Sequence, residues 1–117
     1  MLDAMHTHNF DVVRYVWIAD YDDAATFLNN FRTGDSENTS QYSNPAYDEA
    51  LHNAAKAADT TVRGKRYQQA EELLGQDVPA IPVYHYVRTH LVKPWGGGFT
   101  PDKLGYYYSK EMYSKKH

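Results

Sequence analysis

The sequence predicts an α/β fold. Two apolar runs rich in β-branched and aromatic residues, 10–17 and 80–87, read as strands. Between them lie two stretches with helical apolar spacing, at about residues 45–58 and 61–76. Strand, helix pair and strand in that order, within 117 residues, describe one α/β unit rather than a helical bundle or a β-sandwich.

Residues 1–8 read as a short helical tail that Asn9 ends. Phe10-Asp11-Val12-Val13-Arg14-Tyr15-Val16-Trp17 then alternates, with Phe10, Val12, Arg14 and Val16 on one face and Asp11, Val13, Tyr15 and Trp17 on the other. Apolar residues on both faces predict a strand covered on both sides. Asp20-Tyr21-Asp22-Asp23 forms a polar turn, and residues 24–31 make two helical turns with Phe27, Leu28 and Phe31 aligned. Residues 32–43 carry Gly34, Asp35, Ser36, Asn38, Thr39 and Ser40 and read as a surface loop.

Asn44-Pro45 is a helix start, with Asn at the cap and Pro at the first helical position. Tyr47, Leu51, Ala54 and Ala58 share one face of that helix. Asp59-Thr60 caps a second helix whose stripe is Val62, Tyr67, Ala70, Leu73 and Leu74. The short link makes the two helices an antiparallel pair, with Leu51 and Leu73 expected to bury together against strand 10–17. Pro82 places the strand at 80–87 at an edge or a strand end. Gly96-Gly97-Gly98 reads as a flexible break, and Tyr106-Tyr107-Tyr108 with Met112-Tyr113 as a last short strand.

Bulk properties exclude several functions. Net charge is −3, without a dominant basic patch, so nucleic acid is not an expected partner. The chain has no cysteine, which removes disulfides and thiolate metal sites. No apolar run approaches the roughly 20 residues of a membrane helix. Residues 1–6 have neither a basic segment nor an apolar stretch, so no signal peptide is expected in them, and the chain is expected to be cytoplasmic or a piece of something longer. Aromatics reach 15%, with 11 Tyr, and Tyr suits both half-wet rims and ligand clefts.

Chemical motifs are few. His6-x-His8 lacks a third ligand nearby and reads as two exposed histidines, so no metal or other cofactor is assigned. His85 and His90 read as packing or rim residues. No nucleophile elbow, zincin, phosphate-loop or dinucleotide motif occurs, so no catalytic residue is assigned and the chain is not read as an enzyme. Asp22 and Asp23 read as a solvated turn. Asp20 differs, because it follows an apolar strand and sits beside Trp17 and Tyr21. That setting suits either capture of a cationic group or a helix-cap or turn role.

The order and spacing of several segments resemble a known family. They are residues 10–21 with Thr26-Phe27-Leu28, Asn44-Pro45-Ala46-Tyr47-Asp48, Tyr67-Gln68-Gln69-Ala70-Glu71 and Ala80-Ile81-Pro82-Val83-Tyr84-His85-Tyr86. Leu91-Val92-Lys93-Pro94-Trp95 and the closing Met112-Tyr113 with Lys116-His117 complete the set. Together they resemble the C-terminal portion of the periplasmic oligopeptide-binding proteins, the extracellular solute-binding protein family 5 of ABC transporters. The resemblance implies a fragment of the periplasmic-binding-protein type II fold. Residues 1–86 would belong to the C-terminal ligand-binding lobe, and residues 87–117 to a crossover tail that packs on the first lobe in the family.

The resemblance also implies function: a periplasmic receptor that binds oligopeptides between two lobes and delivers them to the permease of an ABC importer. It implies that Asp20 pairs with the peptide α-ammonium and that Val16 and Trp17 line the cleft. Tyr86 would lie where the chain crosses between lobes, and Arg14 would match a cleft Arg of some relatives. Two departures stand out. Ile18 replaces a Cys of some relatives, and Val16 replaces a common Gly, which crowds a ligand backbone. Alternatives remain: a metal- or haem-binding receptor of the same fold, with His6, His8, His85 and His90 as first candidates, or a truncated interaction protein outside transport. The apolar residues from Val87 onward lead to one more expectation, self-association through the C-terminal tail.

Overall fold

The computed structural model describes residues 2–116. The fold is built on a helix pair. Asn44 takes an extended backbone (φ −145°, ψ 111°), and its side chain accepts hydrogen bonds from the amides of Ala46 and Tyr47, so α3 runs Pro45–Lys56. Asp59 repeats the device by accepting from the amide of Val62, which starts α4, Thr60–Asp77. Three residues, 57–59, join the two, and the helices fold back on each other as expected. α3 ends two residues before Ala58, which is exposed rather than part of the stripe.

Two shorter helices precede this pair. α1 spans Leu2–His6 and is closed by the Asn9 amide donating to the Ala4 carbonyl. The part of the expected tail at Met1 lies outside the described residues. α2, Ala25–Leu28, continues as a 3₁₀ turn over Asn29–Phe31.

The core gathers Leu28, Tyr47, Ala50, Leu51 and Ala70, with Phe31, Tyr42, Tyr67, Leu73 and Leu74 packed around them. Tyr47 is fully enclosed, and its hydroxyl donates to the carbonyl of Leu28, which ties α3 to the end of α2. Leu51 and Leu73 share this core as expected, but nothing from residues 10–17 joins it. The third wall is α2 and its 3₁₀ extension. Val62, expected in the α4 stripe, is largely exposed.

The two long apolar runs are not strands here. Residues 13–19 and 80–92 have no ladder partner among the described residues, and a strand exists only through inter-strand hydrogen bonds. The first run still keeps the two-residue period of an extended chain. Val13, Tyr15, Trp17 and Ala19 are half-buried, while Val12, Arg14, Val16, Ile18 and Asp20 are exposed. One face is therefore covered instead of two. Every residue from 80 to 95 is exposed: Ile81, Val83 and Val87 are more than four-fifths exposed and Leu91 is 99% exposed.

The tail forms its own small unit. β1, Gly96–Gly97, pairs antiparallel with β2, Tyr113–Ser114, and the Lys115 amide donates to the Trp95 carbonyl. The glycine run is thus an ordered strand rather than a flexible break. Glycine is required because Tyr113 lies against Gly97, and because a Cβ on Gly98 (φ 71°) would strike the carbonyl of Glu111. The expected strand at Tyr106–108 is absent, and β2 begins only at Tyr113 after a 3₁₀ turn at Ser109–Glu111. His90, Phe99 and Tyr107 cluster together, with Phe99 and Tyr107 stacked at 4.3 Å between centroids.

The molecule is open. Its radius of gyration is 18.7 Å, against about 13 Å for a compact domain of this length. Its accessible surface is 9236 Å², roughly 2,700 Å² more than a folded monomer of this mass exposes.

Candidate ligand-binding cleft

The two unpaired runs face each other and form a groove. Arg14 reaches across it, and its Nη2 donates to the hydroxyl of Tyr84 at 2.7 Å. Arg14, Tyr15, Val16 and Trp17 form one wall and residues 81–86 the other. The groove continues into a wider cleft of about 670 Å³, floored by Met5, His6 and the loop residues Ser36, Glu37 and Thr39. That volume lies within the range of small-molecule and peptide side-chain sites.

Four of the residues singled out from the sequence, Arg14, Val16, Trp17 and Tyr86, line this cleft together. Asp20 does not line it. It stands on the same exposed face of the run as Arg14, Val16 and Ile18, just past the last lining residue. Its amide donates to the Thr26 hydroxyl at 3.0 Å, which fixes the backbone where the run turns into α2. Four residues of extended chain put Asp20 about 13 Å beyond Val16. Trp17 stacks on Tyr15 with centroids 6.0 Å apart, and its indole Nε1 is buried without a hydrogen-bond partner among the described residues. Such a donor costs about 1–3 kcal/mol while it stays unpaired.

Asp23 is not a solvated turn residue. Its carboxylate accepts from the Ala25 amide at 2.9 Å and from the Tyr67 hydroxyl at 2.7 Å, and lies 3.7 Å from Arg63. The Ala25 amide, ahead of the Tyr67 hydroxyl and the Arg63 charge, lowers its pKa below the ordinary carboxylate value. These bonds clamp the turn after the first extended run onto α4. Asp22 stays exposed and pairs with Lys103 at 2.8 Å.

Nothing in the sequence marks Tyr15, Glu37 and Thr39 as cleft residues. Tyr15 was legible only as one face of a strand, and Glu37 and Thr39 sit in a loop whose composition signals surface. His6 lines the cleft, whereas His8 turns away, its Nδ1 3.4 Å from the Thr39 carbonyl. Among the described residues no three His, Asp or Glu side chains converge as a metal site would require.

The site is thus an open cleft between two unpaired chain segments. No family model matches the chain. Relatives do. The chain is 44% identical over 117 residues to the periplasmic oligopeptide-binding protein OppA of Salmonella typhimurium, covering 99% of this chain and 22% of that one. The solved structure of the Escherichia coli murein tripeptide binding protein MppA superposes with a TM-score of 0.86 at 37% identity, over 99% of this chain and 23% of that one. Haemophilus influenzae OppA in complex with the peptide RPPGFSPFR superposes at 0.83 with 39% identity, over 98% and 23%. The chain therefore belongs to the periplasmic oligopeptide-binding family of solute-binding proteins. It corresponds to the C-terminal portion and is a fragment of their type II fold. It spans about 22% of the length of the relatives it matches.

Proposed function

We propose that this chain supplies one wall of the peptide site of a periplasmic receptor serving an ABC importer. The observation that carries the reading is the groove itself, in which Arg14, Val16, Trp17 and Tyr86 line one space between two unpaired chain segments. Unpaired extended backbone can take up a peptide by strand addition, with main-chain hydrogen bonds giving affinity irrespective of sequence. Trp17 Nε1 is a donor in reserve for a ligand carbonyl. Asp20, at the open end of the same face, receives the peptide α-ammonium in a charge-assisted hydrogen bond.

Residues 1–86 act as part of the ligand-binding lobe, and residues 87–117 return to the first lobe. That lobe would cover the exposed run at 80–95 and close the cleft from the opposite side. The loaded receptor then delivers its peptide to the permease. Alone, the 117-residue chain binds weakly, because one wall cannot bury a ligand.

Calorimetry with a free tripeptide and its N-acetylated form tests the reading in the chain joined to the remainder of its receptor. Asp20→Asn and acetylation should each weaken binding by about 1.5–3 kcal/mol, the range for a hydrogen bond to a charged group. The two losses should not add, since both remove the same contact. An unchanged dissociation constant for Asp20→Asn would remove Asp20 from the site.

A further inference from the structure

We propose, building on the peptide-binding reading, that Glu37 and Tyr15 form a subsite that selects a cationic side chain, lysine or arginine, of the bound peptide. Glu37 sits on the floor of the cleft, half-buried, with the Tyr15 hydroxyl donating to its Oε2 at 3.4 Å. Among the described residues its carboxylate has no ion-pair partner. A partly desolvated carboxylate facing an open cleft favours a cation as its partner.

The loop that carries Glu37 is fixed in advance. Asn38 next to it is 5% exposed, and its Nδ2 donates to the carbonyls of Arg32 and Tyr42 at 3.0 and 2.8 Å. Its Oδ1 accepts from the Ser40 hydroxyl and the Tyr42 amide. The Glu37 amide donates to Asp35 Oδ1 at 3.0 Å, which sets the direction of the residue. A carboxylate held this way needs little ordering when a ligand arrives.

The rest of the lining suits the stem of a long cationic side chain. Met5 is buried and polarizable, and the Tyr15–Trp17 stack offers an aromatic wall to the methylenes and the charge. Two basic side chains share the cleft. Arg14 is engaged across the groove by Tyr84, and His6 lies on the α1 side. Burial, then the charge of Glu37 and its hydrogen bond, push the Tyr15 phenol up to about 12, so it stays a neutral donor beside the carboxylate. An acidic side chain in this position meets Glu37 at close range and is disfavoured.

The test is an NMR titration of the isotope-labelled 117-residue chain, a method that reads weak binding residue by residue. The probes are alanine tripeptides with one lysine at the first, second or third position, and their norleucine counterparts of similar length and no side-chain charge. One lysine peptide should shift the amides of Tyr15 and Glu37 and bind at least about tenfold more tightly than its norleucine partner. Glu37→Gln keeps the acceptor for Tyr15 but removes the charge, and should abolish that preference. If lysine and norleucine peptides shift the cleft amides with equal affinity, the selectivity is refuted and the peptide-binding reading stands. If the preference survives Glu37→Gln, it arises from net charge and not from this subsite. If no probe moves the cleft amides, both readings fall.

Discussion

Removing the Tyr47 hydroxyl isolates one contact on which the helix pair depends. Tyr47 is 0% exposed, packs edge-on to Tyr42 with centroids 5.5 Å apart, and donates to the Leu28 carbonyl. Tyr47→Phe keeps the ring and deletes only the donor, so the loss should be about 1–3 kcal/mol, the cost of breaking a buried hydrogen bond on one side. For a chain of this length that lowers the melting temperature by roughly 4 °C per kcal/mol. Thermal unfolding followed by far-ultraviolet circular dichroism measures it, since α3 and α4 dominate the helical signal. Alkaline pH gives a second, independent reading. Burial holds the Tyr47 phenol far above its ordinary value of 10.0. A raised folded-state pKa means stability that is complete below about pH 10 and is lost as pH rises beyond it, because the unfolded chain ionises first. Tyr47→Phe should lose less stability above pH 10 than the wild type. Some loss remains, because burial also pushes Tyr67 and Tyr15 up to about 12. A Tyr47→Phe chain that melts within about 1 °C of the wild type, with the same alkaline profile, would refute the role given to this hydroxyl.

Val78, which closes α4 in a left-handed conformation (φ 47°, ψ 54°) with its side chain largely exposed, should be stabilising when replaced by Gly, by about 1 kcal/mol in urea unfolding. Asp23→Asn should destabilise the fold at neutral pH, and the gap should narrow as pH falls through and below 3.8, because the wild-type carboxylate has a lowered folded-state pKa and its contribution is lost on protonation; acid titration of the two chains compares them. Self-association through the tail is proposed from the run at 80–95 and from the excess accessible surface, which a compact monomer of this size does not carry. Sedimentation should show the intact chain heavier than a monomer at high micromolar concentration and a chain ending at Arg88 lighter, and a clean intact monomer would overturn it.

Local signals in the sequence decided the helices. Asn44-Pro45 and Asp59-Thr60 are caps whose side chains bond amides two or three residues away, so their effect needs no distant partner. The stripes of Tyr47, Leu51, Ala54, Ala70 and Leu73 were legible for the same reason, and they name most of the core. The order of motifs along the chain was enough to place it in its family. Arg14, Val16, Trp17 and Tyr86 could also be named, although they are some 70 residues apart, because that resemblance and not spacing connected them.

Tertiary structure decided the rest. Residues 13–19 and 80–92 have strand composition, but a strand is a relation between two chains of hydrogen-bonding groups, and neither run finds its partner among the described residues. Gly96 and Gly97 look flexible in isolation, yet they pair with Tyr113 and Ser114 because only glycine admits so close a backbone and ring. Asp23 and Glu37 lie in segments of loop composition, and their roles come from Tyr67 and Tyr15, 44 and 22 residues away. Caps and periodicity act within a few residues and can be read along the chain, whereas cleft walls and ladders join distant residues whose meeting only the folded backbone determines.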